Sequence, residues 1–241
     1  MSDVGKVMLV VSAHAADFVW RAGGTIALHS SARWRVRILC LSFGERGESQ
    51  GAWAEPGMTI DRVKEIRREE SRHAAAILGA EVRFLDGGDY PLRPSDQTIH
   101  EMVVEMKTLQ PACILTHSRL DPYNFDHPVA HQMTLEARVY AQALGFPVEG
   151  APLGAPPVYL FEPHQPEQCG FTPQVLLDVT AAWDRKQQAM ASMKAQGHLL
   201  DYYSDLGRRR GSQAVRNGGN KGIRYAEAFE RVYPQVVEAL L

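Results

Sequence analysis

Apolar residues along this chain fall into two alternating rhythms. Short continuous runs recur: VMLVVSAH (7–14), RVRILCLS (35–42), EVRFLD (81–86), ACILTH (112–117) and VYLFEP (158–163). Their length and continuity suit strands buried on both faces of a sheet. QVLLDVT (174–180) reads as a sixth. Between them lie longer segments with apolar residues at helical spacing, over 18–31, 59–79, 95–109 and 127–145. Thr59 is placed to cap the second of these and Gly79 to end it. The remainder reads as mostly helical, broken around RNGGNKG (216–222). Strands separated by helices form parallel βαβ units. The pattern therefore predicts an α/β fold: an open, doubly wound, mostly parallel sheet with helices on both faces and a mostly helical C-terminal portion. The loop around Pro152, Pro156 and Pro157 is not read as a domain boundary, so 1–241 is taken as a single domain.

Composition narrows the function classes. Hydrophobic residues make up 45% and charged residues 22% of the 241 positions, and no apolar run approaches the ~20 residues of a membrane helix. The N-terminus has no basic-then-apolar signal pattern, so the expectation is a cytoplasmic protein without a membrane partner. A net charge of -2 gives no reason to expect nucleic acid as a partner. The three cysteines, Cys40, Cys113 and Cys169, are scattered and odd in number, which argues against a disulfide framework and a thiolate metal site. Cys40 and Cys113 lie inside apolar runs and read as core.

In open α/β sheets ligands bind beyond the carboxyl ends of the strands. The first strand here ends in His14, with Asp17 three positions on. The fourth is followed by DPYNFDHPVAH (121–131), in which His127 opens a helix with Pro128 in its first turn. If both clusters lie at that edge, two imidazoles and one carboxylate meet. Such a set binds a divalent metal and leaves positions open, the mark of a catalytic site. A net positive centre of this kind favours an anionic ligand. His-x-x-Asp and Asp-His before a helix both recur by chance, so spacing alone leaves the metal reading open.

Three features together resemble the PIG-L/LmbE family: the strand ending in His-x-x-Asp, the pattern of Arg67, Glu70, Ala74, Ala75, Leu78 and Gly79, and the later Asp-His. That family consists mainly of zinc-dependent deacetylases of N-acetyl sugars. The resemblance implies zinc held by His14, Asp17 and His127, although the ligand types also suit ferrous iron. It also exposes two departures. The usual His-Pro-Asp-Asp is His14-Ala15-Ala16-Asp17, so the family's general base falls on Ala16. The usual His-x-Asp-His is Asn124-Phe125-Asp126-His127, so a second catalytic imidazole is lost. The resemblance thus implies that the ligands are kept and leads to the expectation of a changed reaction. SAHAADFVWRAGG, CLSFGERGES, DPYNFDHP, GAPPVYLFEPHQPEQC and RRRGSQAVRN are in turn similar to a hydratase branch of the family. This implies a hydro-lyase that adds water across a conjugated carbon–carbon double bond of a small tricarboxylate in aromatic-acid catabolism. It also implies a homo-oligomer. The competing reading is a deacetylase that recruits another base.

Hydration needs proton-transfer groups beside the metal. Glu48, in the Gly-flanked loop after the second strand, is the first candidate, with Glu45 as competitor. His164, set between two prolines after the fifth strand, is the second. For the substrate's carboxylates the candidates are Arg46, Arg67 and Arg216, because a guanidinium fork matches a carboxylate. Asn124 is a candidate hydrogen-bond donor to substrate. Asp126 is expected to orient a ligand imidazole. His117 is read as bordering the site and His131 as core or supporting. Trp20 and Trp53 are read as packing, with a pocket wall as the alternative. Arg208, Arg209 and Arg210 are read as a solvated face or a subunit contact.

Overall fold

The computed structural model of the protein describes residues 5–238. Seven strands form one sheet: β1 (Val7–Ser12), β2 (Arg35–Cys40), β3 (Glu81–Phe84), β4 (Cys113–Thr116), β5 (Val158–Phe161), β6 (Val175–Asp178) and β7 (Ala226–Arg231). The helices are α1 (Asp17–Ser31), α2 (Gln50–Trp53), α3 (Ile60–Leu78), α4 (Asp96–Leu109), α5 (Asp126–Gln142), α6 (Trp183–Ser192) and α7 (Leu200–Arg216). The strand order is β3-β2-β1-β4-β5-β7-β6. The first five strands are parallel, and β7 runs antiparallel to both of its neighbours.

β1 is central because both of its faces are apolar. Met8 and Val10 enter one core with α1, α3 and α6, while Leu9 and Val11 enter the other with α4 and α5. Cys40 and Cys113 pack in the first of these, and all three cysteines are free and buried. The termini of α3 follow local chemistry. Thr59 accepts a hydrogen bond from the Arg62 N–H, and Gly79 closes the helix at φ 74°, a left-handed conformation that glycine adopts without steric cost. No helix among the described residues is long and apolar enough to cross a membrane.

The tail departs from the sequence expectation. It is not mostly helical to its end, because residues 226–231 form β7, inserted between β5 and β6. What seats β7 is a buried ion pair. Glu227 lies 2.7 Å from the Lys186 Nζ of α6 and accepts hydrogen bonds from the Gly24 and Thr25 N–H groups of α1. A Cβ on Gly24 would sit 2.8 Å from the Val179 Cβ and 3.0 Å from the Glu227 Oε1, so the second glycine of Gly23-Gly24 is needed for this close approach.

The functional consequence lies at the middle of the sheet. From β1 the chain leaves one way to β2 and β3, and the other way to β4 and β5. That reversal opens a crevice at the carboxyl ends of β1 and β4. The residues after β1 and those between β4 and α5 both emerge there.

Candidate functional site

His14 and Asp17 span the turn from β1 into α1. Ala15 and Ala16 are fully buried beside them, and Asp17 opens the helix. Its Oδ2 accepts the His14 N–H at 2.8 Å, which folds the turn back on itself and faces the two side chains together. His127 opens α5 from the loop after β4. Glu48 arrives from the loop after β2, where its N–H donates to the Gly44 carbonyl. One ligand atom each from His14, Asp17, Glu48 and His127 falls within a cluster 4.8 Å across.

The donor set fits a divalent metal. His14 Nδ1 and His127 Nε2 are buried and have no hydrogen-bond partner. These are the nitrogens that face inward. His14 Nδ1 lies 3.3 Å from both Asp17 Oδ2 and Glu48 Oε1, and His127 Nε2 lies 3.4 Å from Asp17 Oδ1 and 3.6 Å from Glu48 Oε1. The outward nitrogens meet carboxylates. His127 Nδ1 pairs with Asp121 Oδ2 at 2.7 Å, and His14 Nε2 faces Asp89 Oδ1 at 3.1 Å and Asp126 Oδ2 at 3.4 Å. A lone pair turned inward and an N–H donated outward to a carboxylate is how ligand histidines are held in metal sites. His14, Asp89 and Asp126 form a second acidic group. Main-chain N–H groups hold them from the other side, Arg46 and Gly47 on Asp89 Oδ2 and Tyr90 and Leu92 on Asp126, so they brace the site from behind, with Asp89 Oδ1 turned toward His14.

The acidic surroundings also set protonation. Burial opposes charge on His14, yet the carboxylates of Glu48, Asp126, Asp17 and Asp89 raise its pKa well above the ordinary value. Burial likewise opposes charge on His127, but Asp17 and Asp121 raise it to about 9. The cluster therefore favours positive charge at its centre, from protons or from a cation. Burial works against Glu48 as well, but His14 and His127 offset it and hold the carboxyl below its ordinary range.

A cavity of about 200 Å³ opens onto the cluster and is lined by Asp17, Glu48, Asn124 and His127, with His164 among its other walls. Asn124 donates from Nδ2 to Glu48 Oε1 at 2.8 Å, and its own Oδ1 accepts the Asp126 N–H. The His164 ring packs 4.1 Å from the Tyr202 ring. Trp20 also lines the cavity, whereas Trp53 sits outside and donates its indole N–H to the Glu45 carbonyl. Glu45 is buried 3.6 Å from Lys64, away from the cavity.

The three arginines expected to bind substrate do not reach this cavity. Arg46 is exposed and donates to the Asp89 carbonyl. Arg216 is exposed at the end of α7. Arg67 is fully buried, with its guanidinium donating to Glu70, to Gln196 Oε1 at 2.8 Å and to the Phe43 carbonyl. Its reach into the site is indirect: Gln196, oriented by Arg67, approaches Glu48 Oε2 through Nε2 at 3.4 Å. Arg208 is exposed and pairs with Asp205, while Arg210 grips Glu162.

Several residues of the site went unread in the sequence. Asp121 and Asp89 sit in irregular loops and Gln196 at a kink within the short 3₁₀ segment Lys194–Leu199, where no periodicity marks them. Arg21 did carry a signal, because it lies four residues after Asp17 on the same helical face. His117 turns out to be a support. Its Nε2 accepts the Ala13 N–H at 2.9 Å, and its ring stacks 4.2 Å from that of His127. Burial and the neighbouring His127 push its pKa down to about 3, so it is a neutral wedge. His131 in turn pairs through Nδ1 with the His117 carbonyl.

The Asp121–His127 contact can be tested directly. Asp121→Ala is expected to lower metal affinity about 10–100-fold, because it frees the imidazole to rotate and lowers its basicity. Metal retention against a competing chelator measures this, and unchanged retention would show that Asp121 does not orient the ligand.

Comparison with known proteins agrees with this architecture. Residues 9–138 match the family model PIG-L, GlcNAc-PI de-N-acetylase. A 4-oxalmesaconate hydratase of Pseudomonas putida is 49% identical over the whole chain and 94% of its own length. The crystal structure of GalB, the 4-carboxy-2-hydroxymuconate hydratase of Pseudomonas putida KT2440, superposes with a TM-score of 0.95 at 50% identity, covering 98% of this chain and all of that one. The N,N'-diacetylchitobiose deacetylase of Pyrococcus horikoshii shares the fold alone, with a TM-score of 0.78 at 20% identity over 94% of this chain and 84% of its own. A family match that spans the sheet's central strands and every residue of the His14–Asp17–Glu48–His127 cluster leaves one assignment: the chain belongs to the PIG-L family.

Proposed function

We propose that this chain is a metal-dependent hydro-lyase. It adds water across the conjugated carbon–carbon double bond of 4-oxalomesaconate, or of its enol tautomer, to give 4-carboxy-4-hydroxy-2-oxoadipate. The observation that carries this reading is the 49% identity, over the full chain, to a 4-oxalmesaconate hydratase. The site's chemistry supports it. A deacetylase of this family needs a base at position 16, and Ala16 cannot act as one. The imidazole expected two residues before Asp126 is Asn124, whose amide is already engaged with Glu48.

His14, Asp17 and His127 would hold the metal, with Glu48 within reach, and zinc or ferrous iron suits such ligands. When bound, the metal supplies a Lewis acid that withdraws electron density from the oxo-acid. The remaining work falls to side chains. Glu48 is ionised, and Asn124 and Gln196 hold its two oxygens in place. It takes a proton from the adding water as the new carbon–oxygen bond forms. That proton passes to the adjacent carbon, along His164 where the distance requires it, so one H and one OH are added and nothing else changes. His164 suits a relay because it is neutral: burial and the nearby Arg21 push its pKa below the ordinary 6.5.

Both proton carriers act in their deprotonated forms, and the His164 imidazole, whose pKa is pushed below 6.5 by burial and Arg21, sets the limit. The rate should therefore fall only as pH drops through values below 6.5 and stay level through neutrality. A profile of kcat/KM against pH checks this, and an acid limb centred above 6.5 would contradict it. The direct test of function is loss of the conjugated chromophore of 4-oxalomesaconate, before and after chelation and metal return. Metal-dependent loss is the expected result. Absence of loss by folded, metal-loaded protein, with acetate released from an N-acetyl sugar, would favour the deacetylase reading.

A further inference from the structure

Arg21 is buried without enough partners. Its side chain is only 6% exposed, and it lines the cavity beside Asp17, His127 and His164. A guanidinium carries five N–H donors and is charged at every relevant pH. One of its nitrogens donates to the Glu162 carbonyl at 3.3 Å. A second lies 3.5 Å from His127 Nδ1, but that nitrogen faces the Asp121 carboxylate at 2.7 Å and has no lone pair to offer while its proton is there. Nε has no hydrogen-bond partner at all, although Asp17 Oδ1 lies 3.5 Å away.

Neighbouring carboxylates balance its charge, Asp17 at ion-pair distance among them, but give it no side-chain hydrogen bond. Glu162 is gripped by Arg210, Glu227 pairs with Lys186, and Asp121 accepts from the Tyr123 N–H as well as facing His127. A buried charged donor left unsatisfied is costly, so such a group is kept where a ligand completes it. None of Arg46, Arg67 and Arg216 lines the cavity, and Arg21 does.

We propose that Arg21 binds a carboxylate of the substrate where its guanidinium lines the cavity, and that it selects anionic substrates for this cavity. The inference rests on the tricarboxylate reading given under Proposed function. A planar carboxylate meets the guanidinium fork with two parallel hydrogen bonds, which an ammonium cannot reproduce.

The probe is tricarballylate, an unreactive tricarboxylate, compared with its neutral triamide by calorimetry on metal-loaded protein. Arg21→Gln should weaken tricarballylate about 10–100-fold, the range for hydrogen bonds to charged groups. It should leave the triamide nearly unchanged. Arg21→Lys should fall between wild type and Arg21→Gln, and it keeps the test alive if the glutamine variant does not fold. Equal weakening of acid and amide, or metal loss in both variants, would mean that Arg21 only supports the site, and would overturn the proposal.

Turnover of 4-oxalomesaconate separates the two readings. Wild-type turnover with KM unchanged in Arg21→Gln and Arg21→Lys would overturn the arginine's role and leave the hydratase standing. No wild-type turnover, but Arg21-dependent binding of tricarballylate, would remove the hydratase and keep the carboxylate site.

Discussion

Glu48→Gln is expected to lower turnover by about 10²–10⁴, the usual contribution of a positioned general acid or base. The substitution is nearly isosteric. The Asn124 amide can still donate to the remaining carbonyl oxygen, as it does to Glu48 Oε1 at 2.8 Å, so the loop should keep its place. What disappears is the ability to accept and release a proton. Glu48 also stands within ligand reach of His14 and His127, so metal content must be measured alongside rate. Lost turnover with metal retained assigns Glu48 to proton transfer. Lost turnover together with lost metal makes it a ligand first. Full activity would exclude both roles.

Chelation should abolish turnover and also destabilise the fold. The two effects share one cause, the surplus of carboxylate around the cluster. Asp17, Glu48, Asp89, Asp121 and Asp126 all face His14 or His127 within 3.6 Å. A cation bound by the native state alone stabilises it by about 2.7 kcal/mol at a free concentration 100 times its Kd. For a chain of this size each kcal/mol moves Tm by roughly 2–4 °C. Removal of the metal should therefore lower Tm by about 5–11 °C, and return of the metal should restore it. An unchanged Tm after verified metal loss would show that protons on His14 and His127 replace the cation at no cost, and would weaken the metal assignment independently of activity.

The sheet's centre was legible because its strands are apolar on both faces, which leaves few other structures for such runs. β7 was hidden for the opposite reason. Its sequence, Ala-Glu-Ala-Phe-Glu-Arg, places charges at buried positions, and Glu227 is acceptable there only because Lys186 arrives from another helix. The candidate metal ligands each abut a strand end or a helix start, but spacing alone left the metal reading open, and the resemblance to the PIG-L/LmbE family is what pointed to His14, Asp17 and His127. The arginines were misplaced because a side chain's direction depends on packing that no local pattern encodes. Arg67 points inward to Gln196 across 129 positions, whereas Arg21 rides the helix that Asp17 begins.

The position of β7 has a consequence for how the chain is made. β6 is an edge strand whose one neighbour among the described strands is β7, which follows it in the chain by some fifty residues. Until residues 226–231 emerge, β5 and β6 both present unpaired backbone, and Lys186 has no carboxylate to meet. Pairings between elements so far apart in sequence form slowly, and open strand edges invite association with other chains. The nascent protein thus passes through an open-edged intermediate while residues 226–231 are still to be made. Its yield in the cell should depend on temperature and on chaperone supply more steeply than its final stability would suggest.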